Sequence, residues 1–154
     1  MDTGFTVFLD FDGVLVTKYS TESLGNSEPR FDPECVENFK HIIERLKAKY
    51  GEITIIVASN WRFNLNEGTI TELLLEQYEL DNYLTAANIT FLDRLHSKIE
   101  GIMSVINEKR LTPSQSVILD DEYLGEELAA YQIRTRSEDG IRDLESLELI
   151  ILNR

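Results

Sequence analysis

The chain has 154 residues, 42% apolar and 28% charged, which fits one globular unit with a sizeable core. With 28 acidic against 15 basic residues its formal net charge is -13, a field that repels nucleic-acid backbone and excludes extensive tracking along it. No apolar run approaches the roughly 18 residues of a membrane span, and the start "MDTGFTVFLD" has an acid where a signal peptide has a basic region, so neither is expected.

In chain order, the first element is an apolar run over 5–9 that stops on two acids. Asp10 and Asp12 flank Phe11, and Gly13 follows. Residues 20–32, "STESLGNSEPRFD", are polar and carry Gly25 and Pro29, which reads as a loop. Cys35, the only cysteine, rules out an internal disulfide framework and fits a reducing cytoplasm. Asp32 and Pro33 form an N-cap with proline at the first helical position. Val36, Phe39, Ile42, Ile43 and Leu46 repeat at helical spacing, predicting a helix over 33–49 that Gly51 ends.

"ITIIVAS", 53–59, is a β-branched apolar run and predicts a buried strand closed by Ser59. A helix is predicted over 69–78 and a short strand over 88–92. The next helix spans 97–109, with Ile99, Ile102, Met103 and Ile106 on its apolar face. "SVIL", 116–119, predicts another buried strand, again followed by two acids, Asp120 and Asp121. A helix over 124–131, a strand in "QIRTR" and a final helix over 141–151 complete the reading. No internal repeat or low-complexity tract interrupts it.

Strands alternating with helices predict an α/β architecture with a central parallel sheet covered on both faces. Ligands of such sheets sit at the carboxyl ends of the strands. Asp10, Asp12, Ser59, Asp120 and Asp121 all fall there. Four carboxylates on one rim repel one another unless a cation compensates, and Mg²⁺ is the hard dication suited to oxygen ligands. One carboxylate beside such an ion can attack phosphorus, and another can move protons. A hydroxyl and an ammonium are then needed for the phosphoryl oxygens, and Ser59 and Lys98 are the candidates.

"VFLDFDGVL" resembles the first motif of the haloacid dehalogenase-like (HAD) phosphohydrolases. "IIVAS", Lys98 and "VILDD" resemble the second, third and fourth motifs, in that order, and together they cover residues 5–121. "SNWR" with "RTRSEDGI" is similar, more narrowly, to the HAD domain of Swiss-Army-knife RNA-repair proteins, in which the second motif tends to read S-S-W-R; Asn60 departs from it. The resemblance implies a Rossmann-like three-layer fold, one domain over 1–154, with segment 14–32 as a flap because it is too short for a folded cap. It implies a Mg²⁺-dependent phosphatase acting on phosphate monoesters through an aspartyl-phosphate. Asp10 is then nucleophile and metal ligand. Asp12 is general acid and base, with its backbone carbonyl on the metal. Ser59 and Lys98 hold the phosphoryl group, and Asp120 and Asp121 complete the metal site. Asn60 and Arg62 are the candidate substrate contacts, and Lys18 and Arg30 further rim cations. An open site admits a nucleotide or nucleic-acid end as substrate.

Plainer readings stand beside these. Asp10 and Asp12 alone are an acidic turn, Ser59 a strand-end cap, and Arg62 a surface ion pair. Trp61 reads as a packing residue. Arg94, one helical turn before Lys98, is its rival as the phosphate-pairing cation. His41 and His96 lack metal-ligand spacing, and Cys35 lacks the setting of a catalytic thiol. Two other function classes are a phosphoaspartate receiver module and a non-catalytic binding domain of the same fold. A receiver carries its phosphorylated acid on a central strand, where this chain has Ser59.

Overall fold

The computed structural model describes residues 4–20, 30–143 and 151. Its five strands are β1 (Phe5–Leu9), β2 (Ile53–Val57), β3 (Ile89–Phe91), β4 (Ser116–Asp120) and β5 (Gln132–Arg134). They pair in parallel in the order β3-β2-β1-β4-β5. The α-helices are α1 (Pro33–Tyr50), α2 (Glu67–Glu72), which runs on into a π-helical turn at Leu73–Gln77, and α3 (Lys98–Lys109).

β1 and β4 are buried along their whole length, as strands covered on both faces must be. Side chains alternate across the sheet. Phe5, Val7 and Leu9 join Phe39, Ile42, Ile43 and Leu46 of α1 in one core. Phe8, Ile56 and Ile118 join Ile102 and Ile106 of α3 in the other. The predicted three layers are therefore present, with the sheet in the middle.

The chain moves outward from β1 through β2 to β3, then crosses back to β4 on the other side of β1. The strand order thus reverses between β1 and β4, and the crevice at their carboxyl ends is where such sheets take ligands. Leu9 lies opposite Val57 on one side and Leu119 on the other, so Asp10 and Asp120 leave the sheet as neighbours. A receiver has the strand order 2-1-3-4-5, and this sheet does not.

Helix α1 begins as its sequence demands. The Asp32 carboxylate accepts from the Glu34 N–H at 3.0 Å, and Pro33 is the first helical residue. Gly51 ends it at φ 86°, its N–H bonded to the Lys47 carbonyl. Segment 14–32 is described at both ends, and residues 21–29 lie outside the described residues. Its ends are tied together: the Asp32 N–H donates to the Leu15 carbonyl at 2.7 Å, and the Thr17 hydroxyl to Asp32 Oδ2 at 2.6 Å.

Four expectations need correction or restriction. Residues 124–131 form turns and not a helix. The N–H groups of Leu128, Ala129 and Tyr131 bond carbonyls three residues back, and Gly125 at φ +107° breaks any helical run. Leu124 and Leu128 are both buried, which is why their spacing looked helical. Strand β2 ends at Val57, two residues early, because Ser59 already caps a 3₁₀ turn at Asn60–Phe63. Ile99 is exposed and does not share the buried face of α3. The final helix over 141–151 falls largely outside the described residues; Ile141 to Asp143 are not helical, and Ile151 is buried. Among the described residues no helix is long and apolar enough to cross a membrane.

Candidate active site

Asp10 is the first residue beyond β1. Its N–H donates to the Leu119 carbonyl at 3.1 Å, which fastens it to β4, and its Oδ1 accepts from the Phe11 N–H at 2.9 Å. Only 5% of it is exposed. The chain then turns sharply. The N–H groups of Val14, Leu15 and Val16 converge on the Phe11 carbonyl, and the Gly13 N–H bonds the Val16 carbonyl. Gly13 is required here twice over. Its φ is +78°, and a Cβ on it would fall 2.3 Å from Cγ of Asp121.

Asp120, the last residue of β4, is fully buried, and its Oδ1 accepts from the Glu122 N–H at 3.0 Å. Carboxylate oxygens of Asp10, Asp120 and Asp121 lie within 4.8 Å of one another. Burial, then the charge of Asp120, pushes the Asp10 carboxyl up to about 7, although Lys98 pulls the other way. Burial and Asp120 also hold Asp121 above the usual carboxylate range. One ammonium therefore does not balance three carboxylates. The donor set is all oxygen, densely anionic and partly buried, and it fits a hard dication of the Mg²⁺ type.

Lys98 is the first residue of α3. Ser97 caps the helix by accepting from the Glu100 N–H, so the chain enters α3 with Lys98 aimed at the sheet. Its Nζ stands 2.9 Å from Asp120 Oδ2 and 3.4 Å from Asp10 Oδ2. Burial opposes its charge, but the two carboxylates outweigh burial and hold it above its ordinary range. Arg94 points elsewhere and donates to the Leu65 carbonyl at 3.0 Å. Between these two rivals, Lys98 is the one that reaches the acidic group.

Ser59 is fully buried at the exit of β2, where its Oγ accepts from the Trp61 N–H at 3.2 Å. Asn60 follows it on the surface. Asp12 is exposed and stands outside the three-carboxylate group; its Oδ2 accepts from Trp61 Nε1 at 3.2 Å. Trp61 packs as expected, edge-on to Phe11 at 5.1 Å and against Phe31 at 5.6 Å, yet it also orients a candidate catalytic acid. That second role was invisible in the sequence, because it depends on where the 3₁₀ turn sets the indole.

Arg62 departs from the rim position expected of it. It is 1% exposed, and its guanidinium donates to the carbonyls of Ala58, Ser59 and Asp93. Its Nη2 is buried with no hydrogen-bond partner among the described residues. Burial lowers its pKa, and Asp93 and Asp10 act against that shift. A side chain fixed in this way ties the exit of β2 to the loop after β3. It is not an arm that reaches into solvent.

Thr135 was also missed. Its hydroxyl donates to the Gly13 carbonyl at 2.6 Å and its N–H to the Asp120 carbonyl at 3.0 Å, so it joins both acidic loops. The "RTR" pattern gave no hint of this, since both bonds join segments far apart in sequence. Cys35 is fully buried, and burial, then Asp32, pushes its thiol up to about 12, which leaves it unreactive.

The family model described as the HAD domain in Swiss Army Knife RNA repair proteins matches residues 6–145. The chain belongs to this HAD family. The match takes in β2 to β5, all of β1 but Phe5 and every acidic residue of the site, so the HAD domain and the candidate site are one unit. No curated protein and no solved structure matches the chain.

Proposed function

We propose that this HAD domain is a Mg²⁺-dependent phosphatase that hydrolyses phosphate monoesters through an aspartyl-phosphate on Asp10. The observation that carries the reading is the setting of Asp10 at the reversal of strand order, 3.4 Å from the Lys98 ammonium and grouped with Asp120 and Asp121. Asp10, Asp120 and Asp121, with the backbone carbonyl of Asp12, would hold Mg²⁺. The ion, when bound, supplies positive charge for the phosphoryl oxygens.

The chain's own residues then divide the work. A carboxylate oxygen of Asp10 attacks phosphorus, the bond to the leaving oxygen breaks, and Asp12 gives that oxygen its proton. Water next attacks phosphorus, Asp12 takes its proton, and the bond to Asp10 breaks to release phosphate. The Ser59 hydroxyl and Lys98 ammonium face the phosphoryl oxygens, where charge spreads in the transition state. Buried Arg62 adds a fixed positive charge without touching substrate, and Asn60 is the substrate contact on that loop.

The substrate class is a nucleotide or a nucleic-acid end, admitted because segment 14–32 is too short in sequence for a folded cap. Tyr19, Phe63, Leu95 and Tyr123 are exposed apolar side chains on the segments that follow β1, β2, β3 and β4. The aromatic rings among them would suit bases, which stack on any flat apolar face. The lone reduced cysteine favours work in the cytoplasm. Asp10→Asn keeps the shape and removes the nucleophilic charge. It should lower hydrolysis of 4-nitrophenyl phosphate by several orders of magnitude, and near-normal turnover would overturn the assignment.

A further inference from the structure

We infer that the pocket at the carboxyl end of β5 binds a second phosphate of the substrate, carried by its leaving group; this rests on the phosphatase reading of the Asp10 site. The pocket has a volume of about 410 Å³ and is lined by Asp121, Arg134, Thr135, Arg136, Ser137 and Glu138. Asp121 belongs both to this pocket and to the three-carboxylate group. A group bound here is therefore a close neighbour of one bound at Asp10.

The two arginines are poorly explained as structural residues. Arg134 Nε donates to the Asp121 backbone carbonyl at 3.0 Å, and its other N–H groups have no acceptor among the described residues. Arg136 is 79% exposed and lies 3.7 Å from Asp139, a loose surface pair of little worth. A planar guanidinium anchored at one nitrogen, with its remaining donors open, is suited to a phosphate. Ser137 adds a hydroxyl to the same wall.

Charge supports the assignment. The chain carries -13 overall, yet two arginines meet in one pocket. Glu138 opposes them there. Its backbone carbonyl accepts from the Lys18 backbone N–H at 3.2 Å, which ties this loop to the segment after β1. With Asp121 engaged in the carboxylate group, arginines outnumber the remaining acid of the lining. Thr135 fixes the pocket floor to Gly13 and Asp120, so its spacing from Asp10 is set by the sheet. Under the nucleotide reading of the substrate, the exposed ring of Tyr123, two residues beyond Asp121, is the candidate platform for the base.

The test compares adenosine 3′,5′-bisphosphate with adenosine 3′- and 5′-monophosphate, using kcat/KM ratios within each protein. The wild type should favour the bisphosphate over the better monophosphate by about tenfold, equivalent to about 1.4 kcal/mol. R136Q and R134Q should bring that ratio close to one, through KM more than kcat, while R134K keeps part of it. Melting temperatures check that the variants fold. A wild-type ratio of one, or a ratio unchanged in both glutamine variants, overturns the subsite. If no phosphate ester is hydrolysed, the phosphatase reading fails by itself. Calorimetric binding of the bisphosphate then decides: binding that weakens in R136Q retains the subsite, and no binding, or equal binding, removes it.

Discussion

Trp61 holds Asp12. The indole Nε1–H donates to Asp12 Oδ2 across 3.2 Å, and the ring itself is wedged against Phe11 and Phe31. Phe31 in turn stacks on Tyr78 at 4.2 Å, and its N–H donates to the Tyr78 hydroxyl. An exposed carboxylate is thereby oriented by a buried aromatic cluster, which costs little entropy at the moment of proton transfer.

Trp61→Phe keeps the ring packing and removes that donor. Turnover of an alkyl phosphate should fall about tenfold, a part of the roughly 10²–10⁴ that general acid catalysis supplies, because Asp12 itself remains. A 4-nitrophenyl ester, whose leaving group needs no proton, should lose much less. Asp12→Asn should show the same split on a larger scale. Equal losses on the two esters in both variants would remove Asp12 from acid–base work and Trp61 from positioning it.

The crowding of Asp10, Asp120 and Asp121 sets the response to metal. A dication in excess should raise the melting temperature, since a ligand at 100 times its Kd stabilises the fold by about 2.7 kcal/mol. Asp10→Asn relieves repulsion in metal-free protein, so that variant should melt higher than wild type in chelator and gain less from Mg²⁺. It should also be nearly inactive, so stability and activity move in opposite directions. Melting curves with and without Mg²⁺ check this; equal Mg²⁺ shifts in the two proteins would contradict the assigned ligand set.

Lys98 and Arg94 separate cleanly. Lys98→Ala removes the one ammonium at the acidic group and should cost about 10²–10³ in kcat/KM, the scale of losing one donor to a charged transition state. Arg94→Ala removes a bond to the Leu65 carbonyl and should stay close to wild type. The opposite ranking would return the phosphate-pairing role to Arg94.

Much of the site was legible because strand ends are legible. Continuous β-branched runs marked β2 and β4, and the acids that followed had to emerge on one rim once the sheet was parallel. The side-chain partners were not legible, since they depend on how loops fold back. Arg62 looked like a rim cation until the 3₁₀ turn buried it under three carbonyls. Ile99 looked like a core residue because it continues the apolar spacing of α3. Yet Lys98 must face Asp120, and Gly101 packs where a Cβ would sit 3.4 Å from Leu92. Those two contacts rotate the helix and leave Ile99 outside.

Asp32 gives the fold an acid-sensitive joint. It is fully buried and accepts from the Thr17 hydroxyl at 2.6 Å, Arg142 Nε at 2.7 Å, Arg142 Nη2 at 3.1 Å and the Glu34 N–H at 3.0 Å. Burial alone would raise its pKa; the bonds from Arg142 and Thr17 outweigh burial and hold it below the usual carboxylate range. A carboxylate whose pKa is lower folded than unfolded stabilises the fold fully above the unfolded value, about 3.9. That contribution fades as pH falls below that value and through the folded pKa. Asp32→Asn still caps α1 but loses the charge-assisted bonds to Arg142, at a cost of about 2 kcal/mol at neutral pH. The deficit against wild type should hold down to about pH 4 and shrink below it, because protonation removes the same charge from wild type. Arg142 also lies 3.7 Å over the Tyr19 ring, so the variant should loosen the base of segment 14–32 as well as lower the melting temperature. Denaturant melts of both proteins across this pH range decide it: a deficit that is absent at pH 7, or that stays constant down to pH 2, would show that the ionised Asp32 is not what holds the two ends of the segment together.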